Sequence, residues 1–210
     1  MRANLYLAKC VNRQNMNTPQ VTPNTAARSY YLVLDLEATC CDQGTIPRDE
    51  TEIIEIGAVM VGAATLKPVD EFATFVRPVR YPRLTEFCLS LTSVTQHQVN
   101  EGVGLAEAIS QLRQWAERYP GYLFCSWGDY DRNQILRECQ HNEISYPFSD
   151  GHLNLKRQFS ERQGSKKRFG MAEALHKVGL PLDGTHHRGI DDARNIARLL
   201  PYVVGTLRVP

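Results

Sequence analysis

The run Tyr30-Tyr31-Leu32-Val33-Leu34-Asp35-Leu36-Glu37 decides the fold. Five consecutive aromatic or branched apolar residues mark a strand buried on both faces, as in a sheet covered by helices on each side. Asp35 and Glu37 close the run at positions i and i+2, so they project from the same face of the strand. Two carboxylates held side by side repel unless a cation lies between them, and hard oxygen ligands on a rigid strand suit Mg²⁺ or Mn²⁺. A bare Asp-x-Glu is most often a pair of solvated acids at a strand end. The five apolar residues before this one argue against such casual surface placement.

Working outward, Ile53–Val61 and Phe72–Val76 read as further strands, and the segment from Gly62 to Pro68 can close an antiparallel hairpin between them. Leu105, Ile109, Leu112 and Ala116 fall on one apolar helical face. Tyr122–Cys125 reads as another buried strand, followed by a helix from about Asp131 to Gln140. Later helices are expected over Leu153–Glu161, Phe169–Val178 and Asp191–Val203, with Gly179 as a C-terminal cap and Pro181 blocking continuation. Strands first, then strands mixed with helices, give an α/β domain whose mixed sheet is flanked by helices. Residues 1–28, rich in Asn, Gln, Thr and Pro, are expected to be a flexible leader, leaving 29–210 as one domain.

The composition narrows the function. Of 210 residues, 24 are Lys or Arg and 23 Asp or Glu, a net charge of +1 that excludes a general polyanion coat. No run approaches a membrane span or a signal peptide. The six cysteines form neither a Cys-x-x-Cys pair nor a zinc-finger spacing, so reduced thiols in the cytoplasm are the simple expectation.

Two further segments carry chemistry. Trp127-Gly128-Asp129-Tyr130-Asp131 lies at a strand-to-helix junction, where Asp131 could serve only as a helix cap. His186-His187-Arg188-Gly189-Ile190-Asp191-Asp192 opens the last helix, and the pairs His187/Asp192 and His186/Asp191 share one spacing, so arithmetic does not choose between them. Taken in order, Asp35-x-Glu37, Asp131 and His187-x₄-Asp192 resemble the DEDDh 3′–5′ exonucleases of the DnaQ-like, ribonuclease H-like superfamily. The segments Asp35–Cys40, Glu52–Ala58, Phe87–Gln96, Trp127–Asp131 and His187–Ile196 are similar to the RNA-trimming subfamily that includes the histone-mRNA and small-interfering-RNA 3′ exonuclease. Ser93 stands where that family more often has Gly, for which only a small loop effect is expected.

The resemblance implies a ribonuclease H-like fold with a central mixed five-stranded sheet. It implies Asp35, Glu37, Asp131 and Asp192 as ligands of two divalent ions, Mg²⁺ or Mn²⁺, with Glu37 and His187 as the catalytic residues. His187, not His186, would be the general base, because the family pattern is His-x-Gly-hydrophobic-x-Asp. Ala38 and Thr39 would hold the sugar and phosphate of the terminal nucleotide, and Leu91 would pack on its base. The substrate would be an RNA 3′ end and the product a nucleoside 5′-monophosphate. DNA as the main substrate, or a catalytically silent nucleic-acid-binding module, are the alternatives. Finally, Lys156–Arg168 holds six basic residues against one acid, Glu161, and with Gly164-Ser165 reads as a mobile basic loop that guides the strand into the cleft.

Overall fold

The computed structural model describes residues 28–148 and 151–208; the expected N-terminal leader, residues 1–27, lies outside the described residues. A five-stranded sheet has the order β3-β2-β1-β4-β5. Its strands are β1 (Tyr30–Ala38), β2 (Ile53–Gly62), β3 (Pro68–Phe75), β4 (Tyr122–Ser126) and β5 (His152–Asn154). β1 is central, antiparallel to β2 and parallel to β4. β2 and β3 form the expected antiparallel hairpin, and β5 adds in parallel at the far edge.

Period-two alternation sorts β1 between two cores. Leu32, Leu34 and Leu36 face one side, where they meet helix α3 (Leu105–Glu117) through Ile109, Leu112 and Ala116, and α4 (Tyr130–His141) through Ile135 and Cys139. Tyr31 and Val33 face the other, packed against α5 (Leu155–Arg162), α6 (Met171–Lys177) and α7 (Gly189–Val203). By the same alternation Asp35 and Glu37 lie on the α7 side. β1 runs through Ala38, so both acids sit within the strand rather than at its end.

Helix α7 crosses β2 at unusually short range. A Cβ added to Gly57 would lie 2.1 Å from the Gly189 carbonyl carbon and 2.2 Å from Ile190 N. Only glycine permits that approach. Gly57 is also the register partner of Asp35 on β1, so the crossing fixes the first turn of α7 directly over the acidic pair.

Several elements depart from the sequence reading. β5 occupies His152–Asn154, where the helix was expected to begin at Leu153; Asn154 instead caps α5, its Oδ1 accepting from Arg157 N–H at 2.8 Å. Lys156, Arg157 and Arg162 therefore belong to a capped helix, and the expected basic loop shrinks to the residues after it. Within that remnant Lys167 pairs with Glu173, and Arg168 with Glu161 at 3.5 Å. Two short helices escaped the reading, α1 (Glu86–Thr92) and α2 (Gln96–Glu101), each started by a threonine cap, Thr85 and Thr95. Phe169 belongs to the core and α6 begins only at Met171.

Ser93 is the C-cap of α1 with φ of 57°, a left-handed conformation that burdens any residue with a Cβ. Ser93→Gly should therefore raise unfolding free energy by about 0.5–1 kcal/mol in a urea titration. Gly57→Ala should do the reverse: with no room for a methyl group under α7, it should cost about 1–3 kcal/mol in the same titration.

Candidate active site

Three elements converge at the carboxyl end of β1. The strand supplies Asp35 and Glu37, the first turn of α7 supplies Asp192, and the first turn of α4 supplies Asp131. Oxygen atoms of Asp35, Glu37 and Asp192 all lie within 4.8 Å of one another. Asp131 stands just outside this trio. Its Oδ1 accepts from the Leu36 backbone N–H at 3.1 Å, so it is tied to β1 rather than acting as a helix cap. Ser126, at the end of β4, also hydrogen-bonds to Asp131, and its hydroxyl lies 2.8 Å from Nε2 of the buried His152.

Crowding four carboxylates where little water reaches them disfavours ionisation. Burial pushes Asp35 well above the usual carboxylate range, helped by the charges of Asp131, Glu37 and Asp192. Glu37 rises to about 9, from burial first and then the charges of Asp192 and Glu55. Asp131 reaches about 6, its burial partly offset by the Leu36 and Ser126 hydrogen bonds. Burial also raises Asp192, against the opposing influence of His186. Such a set of hard oxygen donors, mutually repelling and prearranged, fits divalent cations.

Glu55 was not singled out in the sequence, yet it is 1% exposed and lies directly opposite Glu37 in the β1–β2 register. It would be a fifth charge in the cluster. Instead it accepts from Arg188 Nε at 3.0 Å, from Arg188 Nη2 at 3.2 Å and from Gly189 N–H at 3.1 Å. The bidentate pair neutralises Glu55 and holds the start of α7 against β2. The signal available in the sequence was its place two residues before Gly57.

Both histidines reach the site, by different atoms. His186 Nδ1 lies 3.0 Å from Asp192 Oδ2, whereas His187 donates its backbone N–H to that same oxygen at 3.0 Å. Their rings stack with centroids 3.9 Å apart. His187 has φ of 63°, a left-handed conformation held by this local network. Burial, then the neighbouring His186, lowers the His187 pKa, so its imidazole is neutral at physiological pH. Asp191 turns away from the cluster, accepting from Thr185 N–H and pairing with Arg194.

The other expected contacts differ in exposure. Ala38 and Thr39 are both buried, and the Thr39 hydroxyl accepts from Glu52 N–H at 2.9 Å, leaving its own proton to donate. Leu91 is 37% exposed on α1 and so is no core residue; Phe87, one turn earlier, is exposed beside it. Tyr130, next to Asp131, is also exposed. Phe87 and Tyr130 were passed over in the sequence because an exposed aromatic has no period to betray it.

The Exonuclease (RNase T) family profile matches residues 32–200. ERI1 exoribonuclease 2 of Homo sapiens is 31% identical over 192 residues, covering 81% of this chain and 28% of the relative. For 3′-5′ exoribonuclease 1 of Homo sapiens the identity is 31% over 185 residues, 82% of this chain and 52% of the relative. This chain thus spans between about a quarter and a half of these curated relatives. The solved nuclease domain of 3′hExo, a DEDDh family member bound to rAMP, superposes with a TM-score of 0.78 at 29% identity, covering 88% of this chain and 98% of that one. The chain belongs to the Exonuclease (RNase T) family, among the DEDDh exonucleases of the histone-mRNA exonuclease subfamily.

Proposed function

We propose that this chain is a 3′–5′ exonuclease that hydrolyses single-stranded RNA, or RNA 3′ overhangs, to nucleoside 5′-monophosphates. The observation that carries the reading is the convergence of Asp35, Glu37 and Asp192 within 4.8 Å, with Asp131 tied to the same strand. In this reading Asp35, Glu37, Asp131 and Asp192 hold two divalent ions, Mg²⁺ or Mn²⁺. Bound there, the ions supply Lewis-acid stabilisation of the attacking water and of the leaving 3′-oxygen.

The chain's own residues do the rest. His187 is the general base, neutral at physiological pH and therefore able to take the proton of the attacking water. His186, with its Nδ1 on Asp192, orients that carboxylate. Glu37, buried beside Asp35 and Asp192, orients the nucleophile. Ala38 and Thr39 position the terminal sugar and phosphate, while Leu91 offers an apolar surface to its base, a contact that tolerates any base. Relatives named as exoribonucleases favour RNA over DNA as the substrate. We place the chain in the cytoplasm, where its described cysteines would remain thiols; no helix among the described residues is long and apolar enough to cross a membrane.

Labelled RNA and matched DNA, incubated with Mg²⁺, with Mn²⁺ or with EDTA, test the reading. A ladder shortening from the 3′ end is expected with metal only. Asp35→Ala should abolish it, and His187→Ala should slow it by about 10²–10⁴-fold, the usual worth of a general base. His186→Ala should cost markedly less. Equal losses in the two histidine variants would remove His187 from its assigned role.

Metal binding should also move protons. Glu37, near 9, retains a proton at pH 7 that bound cations must displace, and the upward shift of Asp35 acts in the same direction. Because these folded-state values exceed the unfolded ones, the metal-free protein binds more protons folded than unfolded. Its stability should therefore fall as pH rises between about 4.5 and about 9, and the gain in Tm on adding Mn²⁺ should grow over the same window. Calorimetry in buffers of different ionisation enthalpy should record proton release at pH 7. Binding without release would contradict this account of the cluster.

A further inference from the structure

One cationic recess stands apart from the carboxylates. It holds about 310 Å³ and is lined by Gly128, Asp129, Asn154, Lys156, Arg157 and Arg168. We propose that this recess is a subsite for a backbone phosphate of the substrate strand, upstream of the bond being cut. The proposal rests on the nuclease reading above and adds to it where the rest of the strand lies.

Chemistry of the lining selects the ligand. No aromatic or purely apolar side chain lines the recess, and the charged ends of Lys156, Arg157 and Arg168 are its distinguishing groups. Three cations face one carboxylate, Asp129, whose Oδ1 lies 3.7 Å from His152 Nδ1. Among the described residues, Lys156 and Arg157 make no ion pair at all; Arg168 pairs with Glu161 at 3.5 Å, where both side chains are largely solvated. Arg168 also donates to the Arg157 carbonyl at 3.3 Å, which draws the segment after α5 back over the recess. Asn154 is 7% exposed and has already committed Oδ1 to Arg157 N–H, so what it can turn toward a ligand is its amide N–H₂. Ammonium, guanidinium and amide donors grouped around one hollow are suited to a phosphate.

Position supplies the second argument. The recess is built from residues at or beyond the carboxyl ends of β4 and β5, the same end of the sheet at which β1, parallel to β4, presents Asp35 and Glu37. β4 neighbours β1 and β5 neighbours β4, so the recess lies one to two strand spacings from the acidic cluster, about 5–10 Å. That separation corresponds to roughly two or three nucleotides of a stacked single strand, at about 3.4 Å of rise each. A strand whose 3′ end enters the carboxylate cluster can therefore lay an upstream phosphate into the recess. The reach depends on length: a dinucleotide would be too short to benefit.

The test uses the full chain and the substitutions Lys156→Gln and Arg157→Gln, together and with Arg168→Gln added; none of the three touches the carboxylates. Binding of a labelled twelve-nucleotide RNA with phosphorothioate 3′ linkages is measured by anisotropy across a KCl series in Mg²⁺. Removing one phosphate contact should flatten the slope of log affinity against log salt by about 0.7 and weaken binding about five- to tenfold at low salt. Dinucleotide hydrolysis should be unchanged. An unaltered slope and affinity on the twelve-mer overturns the subsite, and so does an equal loss on dinucleotide and twelve-mer. A separate arm gives the wild-type chain unprotected RNA and Mg²⁺. Failure to shorten it would count against the nuclease reading, while the binding series would still decide the recess.

Discussion

The crossing of α7 over β2 is the constraint on which the remaining architecture depends. It needs glycine at Gly57, where a side chain would occupy the space of the α7 backbone, and it leaves only tight room at Gly189, where an added Cβ would lie 3.1 Å from Gly57 N. Close contact alone is not directional. Glu55 makes it so, by accepting from Arg188 and from Gly189 N–H at the point where the helix begins. A buried ion pair contributes little net stability, since desolvation offsets most of its attraction. Its value here is registration: the first turn of α7 is set over β1, and Asp192 arrives within reach of Asp35 and Glu37.

That arrangement also creates an electrostatic conflict. Four acids held this close together repel one another. The chain lessens the conflict without removing it. Leu36 N–H and Ser126 stabilise Asp131, while His186 and the His187 N–H stabilise Asp192. Asp35 and Glu37 have no comparable donor among these, and theirs are the carboxyls whose pKa is driven up by burial and neighbouring charge. A fifth acid, Glu55, is tolerated only because Arg188 cancels it.

How much of this was legible in the sequence follows from the range of each interaction. The apolar run before Asp35 announced a doubly covered strand, since burial on both faces leaves a local trace. The order of the acidic segments announced the site, because the resemblance reads residue identity and order together. What stayed hidden was short or nonlocal. Three residues of β5 are too few to show a period, and the helix that follows at once gave its own pattern to the whole stretch. The helices α1 and α2 depend on threonine caps more than on an apolar face. Glu55 acquires its meaning only from Arg188, 133 positions away. The choice of atoms at His186 and His187 is likewise set by a backbone angle that no spacing rule encodes.

The crossing has a consequence in time as well as in space. β1 and β2 are made early and α7 is the last described helix, so the acidic pair is synthesised well before the element that brings Asp192 and both histidines to it. A chain growing from its N-terminus at about 5–20 residues per second spends several seconds with Asp35 and Glu37 on a sheet whose α7 face is still bare. Throughout that interval the nascent chain has neither Asp192 nor the two histidines beside the pair on β1. The carboxylate cluster is complete only once α7 has docked on the sheet, however early its first two members are made.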